Sequence, residues 1–318
     1  MAKPIIICGQ QRSGTTALQS ALAHVDGVRN FGEIFQFHGP LVEEAAHNFY
    51  NYINHVRGGW TALTSIAEAE AELDKYLEHL DSLAPGSHYV VDIKYNLWHH
   101  FAPGWLNVFG RPFMLEYFKK RRFPIIHVVR ENLFRQYVSH EFAARARKWH
   151  YGDATSEVPE VPAFDLNIKE LMEYFEMVEG NQALFRKRLA DYPPTVELTY
   201  ETLFDGRSIR LESEKKLRRV LPGWILDRAE SGFIKPGIDP THWVRNAEEV
   251  IDAFRQTPFG VMVIDSLRPP LVKRPQPPVA PVPPVAVGGD VATSDAAEKE
   301  PHRTSDVQSL PENEQNHR

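Results

Sequence analysis

Residues 4–24 read Pro-Ile-Ile-Ile-Cys-Gly-Gln-Gln-Arg-Ser-Gly-Thr-Thr-Ala-Leu-Gln-Ser-Ala-Leu-Ala-His. The apolar run Ile5 to Cys8 predicts a buried parallel strand, Gly9 to Gly14 a tight loop, and Thr15 to His24 a helix with Leu18 and Leu22 on one face. Strand, glycine loop and helix in that order make an anion cradle. The loop's free N–H groups and the positive end of the helix dipole face the same point. The spacing Gly9-x4-Gly14 is that of a nucleoside-triphosphate loop, but Thr15 stands where that motif places its lysine, which weakens a kinase or ATPase reading. The cation is Arg12 instead, followed by Ser13 and the hydroxyl pair Thr15 and Thr16. A bare turn would leave Arg12 and both threonines without a role.

Working outward, the 318 residues suffice for one large domain or two small ones, and 42% hydrophobic with 25% charged residues is an ordinary globular composition. A formal net charge of −6 gives no support to nucleic-acid binding. The single cysteine, Cys8, lies inside the first strand, so no intramolecular disulfide can form. No apolar stretch approaches the ~18 residues of a membrane span, and the first strand begins too early to leave room for a signal peptide. The expectation is a cytoplasmic protein without a membrane span. Ten of the 24 prolines lie between Pro269 and the end, among Ser, Asp, Glu and Gln. Such a segment buries too little apolar area to offset its ordering entropy. The expected organisation is therefore an α/β domain over 1–267 and a disordered tail over 268–318, and the sequence leaves a homo-oligomer open.

Along the chain, Val28 to Phe31 predicts a second strand, leading to Glu33 between a glycine and apolar residues, where an active-site loop would lie. Without the other motifs, a helix cap or an arginine pair would explain that glutamate as well. Residues 38–60 show no clean periodicity. Ser65 to Leu83 reads as an amphipathic helix, and Tyr89 to Lys94 as a buried strand ending on a lysine, the position at which open α/β sheets contact ligands. His99 and His100 do not suggest a metal, because adjacent helical positions diverge. A basic helix is expected near Arg111 to Arg122. Phe123 to Arg130 is the next strand, with Glu131 and Asn132 capping a helix over Leu133 to Arg147. Arg130 and Ser139 then converge across a strand-to-helix corner, a bidentate fork beside a hydroxyl that suits a phosphate monoester. Residues 151–163 break the pattern and read as a flexible lid. A helix from Asn167 to Ala190, a strand from Thr195 to Tyr200, and a helix around Ser208 to Leu221 follow. Lys235 and Gly237 place a further cation beside a glycine.

These motifs resemble the superfamily of sulfotransferases that use 3′-phosphoadenosine 5′-phosphosulfate (PAPS), most closely its bacterial carbohydrate branch, over roughly residues 4–255. Gln11 to Thr16 is similar to the 5′-phosphosulfate loop, and Val129 to Ser139 to the 3′-phosphate motif. The resemblance implies a P-loop-like three-layer α/β/α fold with a central, mostly parallel sheet. It implies that Arg12, Ser13, Gly14, Thr15 and Thr16 hold the 5′-phosphosulfate, that Arg130 and Ser139 hold the 3′-phosphate, and that Tyr200 contacts adenine. Lys235 and Gly237 resemble the family's late basic-glycine loop, although Pro236 loosens that match.

The chain also departs from the animal cytosolic members. Arg12 replaces their loop lysine, Ala17 stands at their tryptophan, and Lys94-Tyr-Asn96 carries no histidine where their Lys-Thr-His does. The carbohydrate members carry a glutamate shortly after the first helix, which points to Glu33 as the base, with Arg12 and Lys94 as catalytic cations. The implied co-substrate is PAPS, with no metal, and the implied acceptor is a hydroxyl of a glycan or glycolipid. Trp98, Trp105, Trp149 and Tyr95 are candidate stacking platforms for a sugar. Two other readings stand beside this one: a P-loop kinase or nucleotide hydrolase, and a non-catalytic nucleotide-binding scaffold whose proline-rich tail binds a partner.

Overall fold

Ile5, Ile6, Ile7 and Cys8 are fully buried, as a strand covered on both faces requires. In the computed structural model, which describes residues 3–36, 45–59, 65–84, 86–98, 112–149, 159–232 and 239–268, this run is strand β1 (Lys3–Gly9), followed by helix α1 (Thr15–Ala23). The other strands of the main sheet are β2 (Val28–Glu33), β3 (His88–Lys94), β4 (Ile125–Val129) and β5 (Thr195–Thr199). They pair in parallel throughout, in the order β2-β3-β1-β4-β5. Parallel neighbours need long crossovers, and helices supply them. The short α2 (Phe49–Asn51) and the long α3 (Ile66–Leu83) lie between β2 and β3, α4 (Phe113–Arg121) before β4, and α5 (Leu133–Ala146) with α6 (Ile168–Leu189) before β5.

Side-chain alternation divides the sheet's apolar residues between two cores. Ile5, Ile7, Val90, Ile126 and Val128 pack with Leu18 and Leu22 of α1 on one face. Ile6, Cys8, Val91, Ile93 and Ile125 pack with α3, α4 and the end of α6 on the other. The result is the expected three-layer α/β/α arrangement with a central parallel sheet. Burial of each such Ile or Leu is worth ~1.5–3 kcal/mol. Helix starts follow the sequence signals: Ser65 and Glu68 form a reciprocal capping box on α3, and Asn132 caps α5 through the Arg135 N–H.

The chain after β5 departs from expectation. Ser208 does not open a helix: α7 (Tyr200–Leu203) leads into a two-residue hairpin, β6 (Phe204–Asp205) with β7 (Ser208–Ile209), and only then comes α8 (Leu211–Leu217). Gly206, at φ 59°, makes the turn that the helical reading overlooked. The short α9 (Gly223–Leu226) and α10 (Pro240–Trp243) precede α11 (Ala247–Phe254) and α12 (Gly260–Leu267), which close a third apolar cluster against α5 and α6. Within 38–60, a π-helical turn spans Tyr52–Val56. The proline-rich tail and most of the suggested lid lie outside the described residues; 159–163 of that segment run without helix or strand. Among the described residues no helix is long and apolar enough to cross a membrane.

On the sheet's β4–β5 side a polar chain runs from the buried Tyr95 and His127 out to the partly exposed Glu197 and Arg186. Tyr95 O–H donates to His127 Nε2 at 2.5 Å, His127 Nδ1–H donates to Glu197 Oε2 at 3.0 Å, and Arg186 Nε donates to both Glu197 oxygens. Burial holds His127 below its ordinary value of 6.5, against the pull of Glu197. Burial pushes the Glu197 carboxyl up, but the hydrogen bonds and charges of His127 and Arg186 outweigh it and bring it from 4.5 to about 2. In both cases the unfolded chain takes up its proton first on acidification, so stability present at pH 7 is lost as pH falls, first below 6.5 and again below 4.5. The expected result is a melting temperature that drops from pH 7 to pH 5, with a smaller drop in His127→Phe. Equal slopes for the two proteins would contradict it.

Candidate active site at the carboxyl edge of the sheet

In the order β2-β3-β1-β4-β5 the chain runs from β1 outward to β2, back to β3, and then crosses to β4 on the other side of β1, so the winding reverses at β1. Open α/β sheets bind ligands at such a switch point, outside the carboxyl ends of the strands. That edge gathers most of the residues singled out from sequence: Glu33 from the end of β2, Lys94 from β3, the Gly9–Gly14 loop from β1, Arg130 just after β4, and Tyr200 just after β5. Lys235 and Gly237 lie outside the described residues.

The loop is shaped by two left-handed residues, Arg12 at φ 63° and Gly14 at φ 88°. Gly14 tolerates no side chain, since a Cβ there would sit 2.5 Å from Tyr200 Cδ2. Two consecutive loop carbonyls are tied to the β4–α5 corner: Gln136 Nε2 donates to Gln11 O at 2.7 Å, and Arg130 Nη1 to Arg12 O at 3.0 Å. Ser13 is buried, and its hydroxyl and its N–H both donate to Gln10 O, at 2.7 and 3.3 Å, so Ser13 closes the loop and the donors left to an anion are the N–H groups that follow it. With those acceptors occupied, the cradle presents donors, as an anion nest requires. Gly14→Ala combines a left-handed penalty of ~1–2 kcal/mol with the clash against Tyr200. A lowered melting temperature and at least about tenfold weaker binding of an anionic nucleotide are expected by calorimetry, and unchanged affinity would contradict the cradle.

Arg12 reaches sideways rather than over the loop. Its Nε donates to Ser139 Oγ at 3.0 Å and its Nη1 to the Trp149 carbonyl at 2.6 Å. The two predicted anion corners are thus one continuous site, with Arg12 and Ser139 in direct contact. Arg130 is the buried member: it is 7% exposed, its guanidinium stacks 4.4 Å from the Tyr200 ring centroid, and its Nε has no hydrogen-bond partner. Burial pulls it below its ordinary value, with Tyr200 and Glu201 opposing. A desolvated cation with an unmet donor is the electrostatic condition for binding an anion. The Glu201 carboxylate accepts the Glu131 and Asn132 N–H groups at 3.2 and 3.1 Å, fixing α7 against this corner.

On the β2–β3 side, Lys94 is 2% exposed and makes three polar contacts: Thr15 Oγ1 at 2.5 Å, Asp92 Oδ2 at 2.6 Å, and Glu33 Oε1 at 3.3 Å. Glu33 reaches it because of a bulge in β2. Pairing slips between Asn30 and Gly32, with Gly32 at φ 67°, so that Glu33 stands level with Asp92. Regular pairing would have set Glu33 opposite Ile93 and aimed it at the other face. Asp92 itself accepts from Gln19 Nε2 at 2.5 Å, and burial raises its carboxyl while Lys94 opposes.

Sequence reasoning missed Asp92, Gln19 and Gln136. Asp92 had a readable signal, a carboxylate two residues before Lys94 and hence on the same strand face, and Gln136 lies one helical turn before Ser139. Two stacking candidates are corrected: Trp98 is fully buried with its indole N–H on the Ile93 carbonyl, and Tyr95 is bound into the His127 chain, so neither can receive a sugar. Trp105 lies outside the described residues. Trp149 is 42% exposed and packs edge-on to His140.

The fold and edge define a doubly wound α/β protein whose carboxyl edge brings Arg12, Arg130 and Lys94 together with the carboxylates Glu33 and Asp92. No protein-family model matches the chain, and no curated protein matches it. Among the described residues no group of three or more His, Cys, Asp or Glu is arranged to hold a metal ion.

Proposed function

We propose that the protein is a PAPS-dependent sulfotransferase acting on a hydroxyl of a glycan or glycolipid. The observation that carries this reading is the junction of the β1 loop and the Arg130–Ser139 corner, joined through Arg12, with the Lys94–Glu33 pair on the opposite flank. Such a crevice suits a molecule with two separated anionic groups and a reactive centre next to a base. The unmet Arg130 donor and the nest of loop N–H groups are the features that fit a 3′-phosphate and a 5′-phosphosulfate.

Sulfuryl transfer is an in-line displacement with charge building on peripheral and bridging oxygens, so positioning and fixed cations supply most of the catalysis. In this reading the N–H groups of Gly14, Thr15 and Thr16 cradle the 5′ end, Ser13 holds the loop in shape through its two bonds to Gln10 O, and Arg12 and Lys94 flank the site. Arg130 and Ser139 hold the 3′-phosphate, and Tyr200 backs Arg130 where the adenine would lie. Glu33 takes the acceptor's proton as the acceptor oxygen bonds to sulfur, and the bisphosphate departs with the electron pair of the broken bond. The test is release of 3′,5′-bisphosphate from PAPS, followed with and without panels of glycans and glycolipids. Release stimulated by one acceptor class supports the reading, and no release with any hydroxyl acceptor, or without one, contradicts it.

A further inference from the structure

Lys94 offers three N–H donors from one ammonium, and the three oxygens around it come from three elements: Asp92 on its own strand, Thr15 at the start of α1, and Glu33 at the end of β2. Of these oxygens only Glu33's belongs to a partly exposed carboxylate, 23% against 0% for Asp92. Gln19 from α1 donates to the same Asp92 oxygen that receives Lys94, at 2.5 Å, and so fixes it in place. Asp92 Oδ1 is buried with no hydrogen-bond partner. A fully buried carboxylate with one empty oxygen costs folding free energy, and the ion pair with Lys94 and the hydrogen bond from Gln19 offset that cost.

We infer that Asp92 is the positioning residue of this centre: it draws the Lys94 ammonium back against Thr15 and holds its ion pair with Glu33 at the longer distance of 3.3 Å, short of a tight contact. The inference rests on the sulfuryl-transfer reading for its kinetic consequence, but the placement of Lys94 stands on geometry alone. With Asp92 at 2.6 Å and Glu33 at 3.3 Å, the nearer carboxylate holds the cation and the farther one keeps a lone pair for the acceptor proton. In Asp92→Asn the amide must present its oxygen to Lys94 and Gln19 without a charge, so the ammonium moves toward the one remaining carboxylate. Glu33 is then occupied by Lys94, and Lys94 leaves the loop.

The test uses the full chain. In side-chain NMR spectra with isotope-labelled lysine, a fixed Lys94 ammonium gives a slowly exchanging resonance, identified by its loss in Lys94→Met. It is expected to persist in Glu33→Gln and to vanish in Asp92→Asn. For turnover of PAPS, Asp92→Asn is expected to lower kcat roughly 10- to 100-fold while the donor KM and bisphosphate affinity stay within about twofold. The charge-balanced double variant, Asp92→Asn with Lys94→Met, is expected to turn over at the rate of Lys94→Met alone, and it guards against misfolding from an unpaired buried ammonium. A resonance that survives in Asp92→Asn, or a double variant slower than Lys94→Met, overturns the inference. Wild-type protein that binds no bisphosphate and turns over no PAPS would instead overturn the sulfuryl-transfer reading, and the NMR result would still decide the role of Asp92.

Discussion

Glu33→Gln is expected to lower kcat by about 10²–10⁴-fold while leaving nucleotide affinity nearly unchanged, since a positioned general base contributes on that scale. Glutamine keeps the shape and can still accept from Lys94 at the 3.3 Å position, so the β2 bulge and the cation are undisturbed. What it cannot do is take a proton. In the proposed reading the nucleotide is held by the β1 loop and the β4–α5 corner, whose contacts with each other do not involve Glu33, so binding is expected to be spared. A variant with wild-type turnover would remove Glu33 from the mechanism. A variant that lost binding in parallel would make it a structural residue of the Lys94 cluster.

Arg130→Ala has the second large effect, and it falls on affinity. Charge-assisted hydrogen bonds are worth ~1.5–3 kcal/mol each, so removing the fork is expected to weaken 3′-phosphoadenosine 5′-phosphate by about 100-fold or more. Adenosine 5′-phosphate, lacking the 3′-phosphate, is expected to lose far less. The variant also frees the Arg12 carbonyl and withdraws the cation from the Tyr200 ring, so some loss for both nucleotides follows from loop loosening. The ratio of the two losses is therefore the informative quantity, read by calorimetric titration. Equal losses would contradict placement of the 3′-phosphate at this corner.

The architecture was legible because the fold is built from local signals that agree. Ile5 to Cys8 is a continuous apolar run, which in a chain of this composition has few places to go except the middle of a parallel sheet. The glycine loop, the Arg130 strand end and the Ser139 helix followed from spacing alone, and all meet at one edge. Three things were not legible. The bulge at Asn30–Gly32 changes which face Glu33 points to, and register is decided by pairing with β3, a partner far along the chain. Arg12 was readable as the loop's cation, but not its left-handed backbone or its reach to Ser139 and the Trp149 carbonyl, which depend on the distant β4–α5 corner. Trp98 and Tyr95 carried the right chemistry for a sugar platform, but burial, which is a property of the whole fold, consigned them to the core.

In the proposed function this edge recognises a nucleotide through two separate anionic groups, without a triphosphate clamp. The most direct measurement is calorimetric titration of the full chain with 3′-phosphoadenosine 5′-phosphate, run in parallel with ATP plus magnesium. Tight binding of the bisphosphate without added metal, and much weaker binding of ATP with magnesium, is the expected result. Binding of ATP with magnesium and not of the bisphosphate would contradict it, returning the β1 loop to a kinase or hydrolase role.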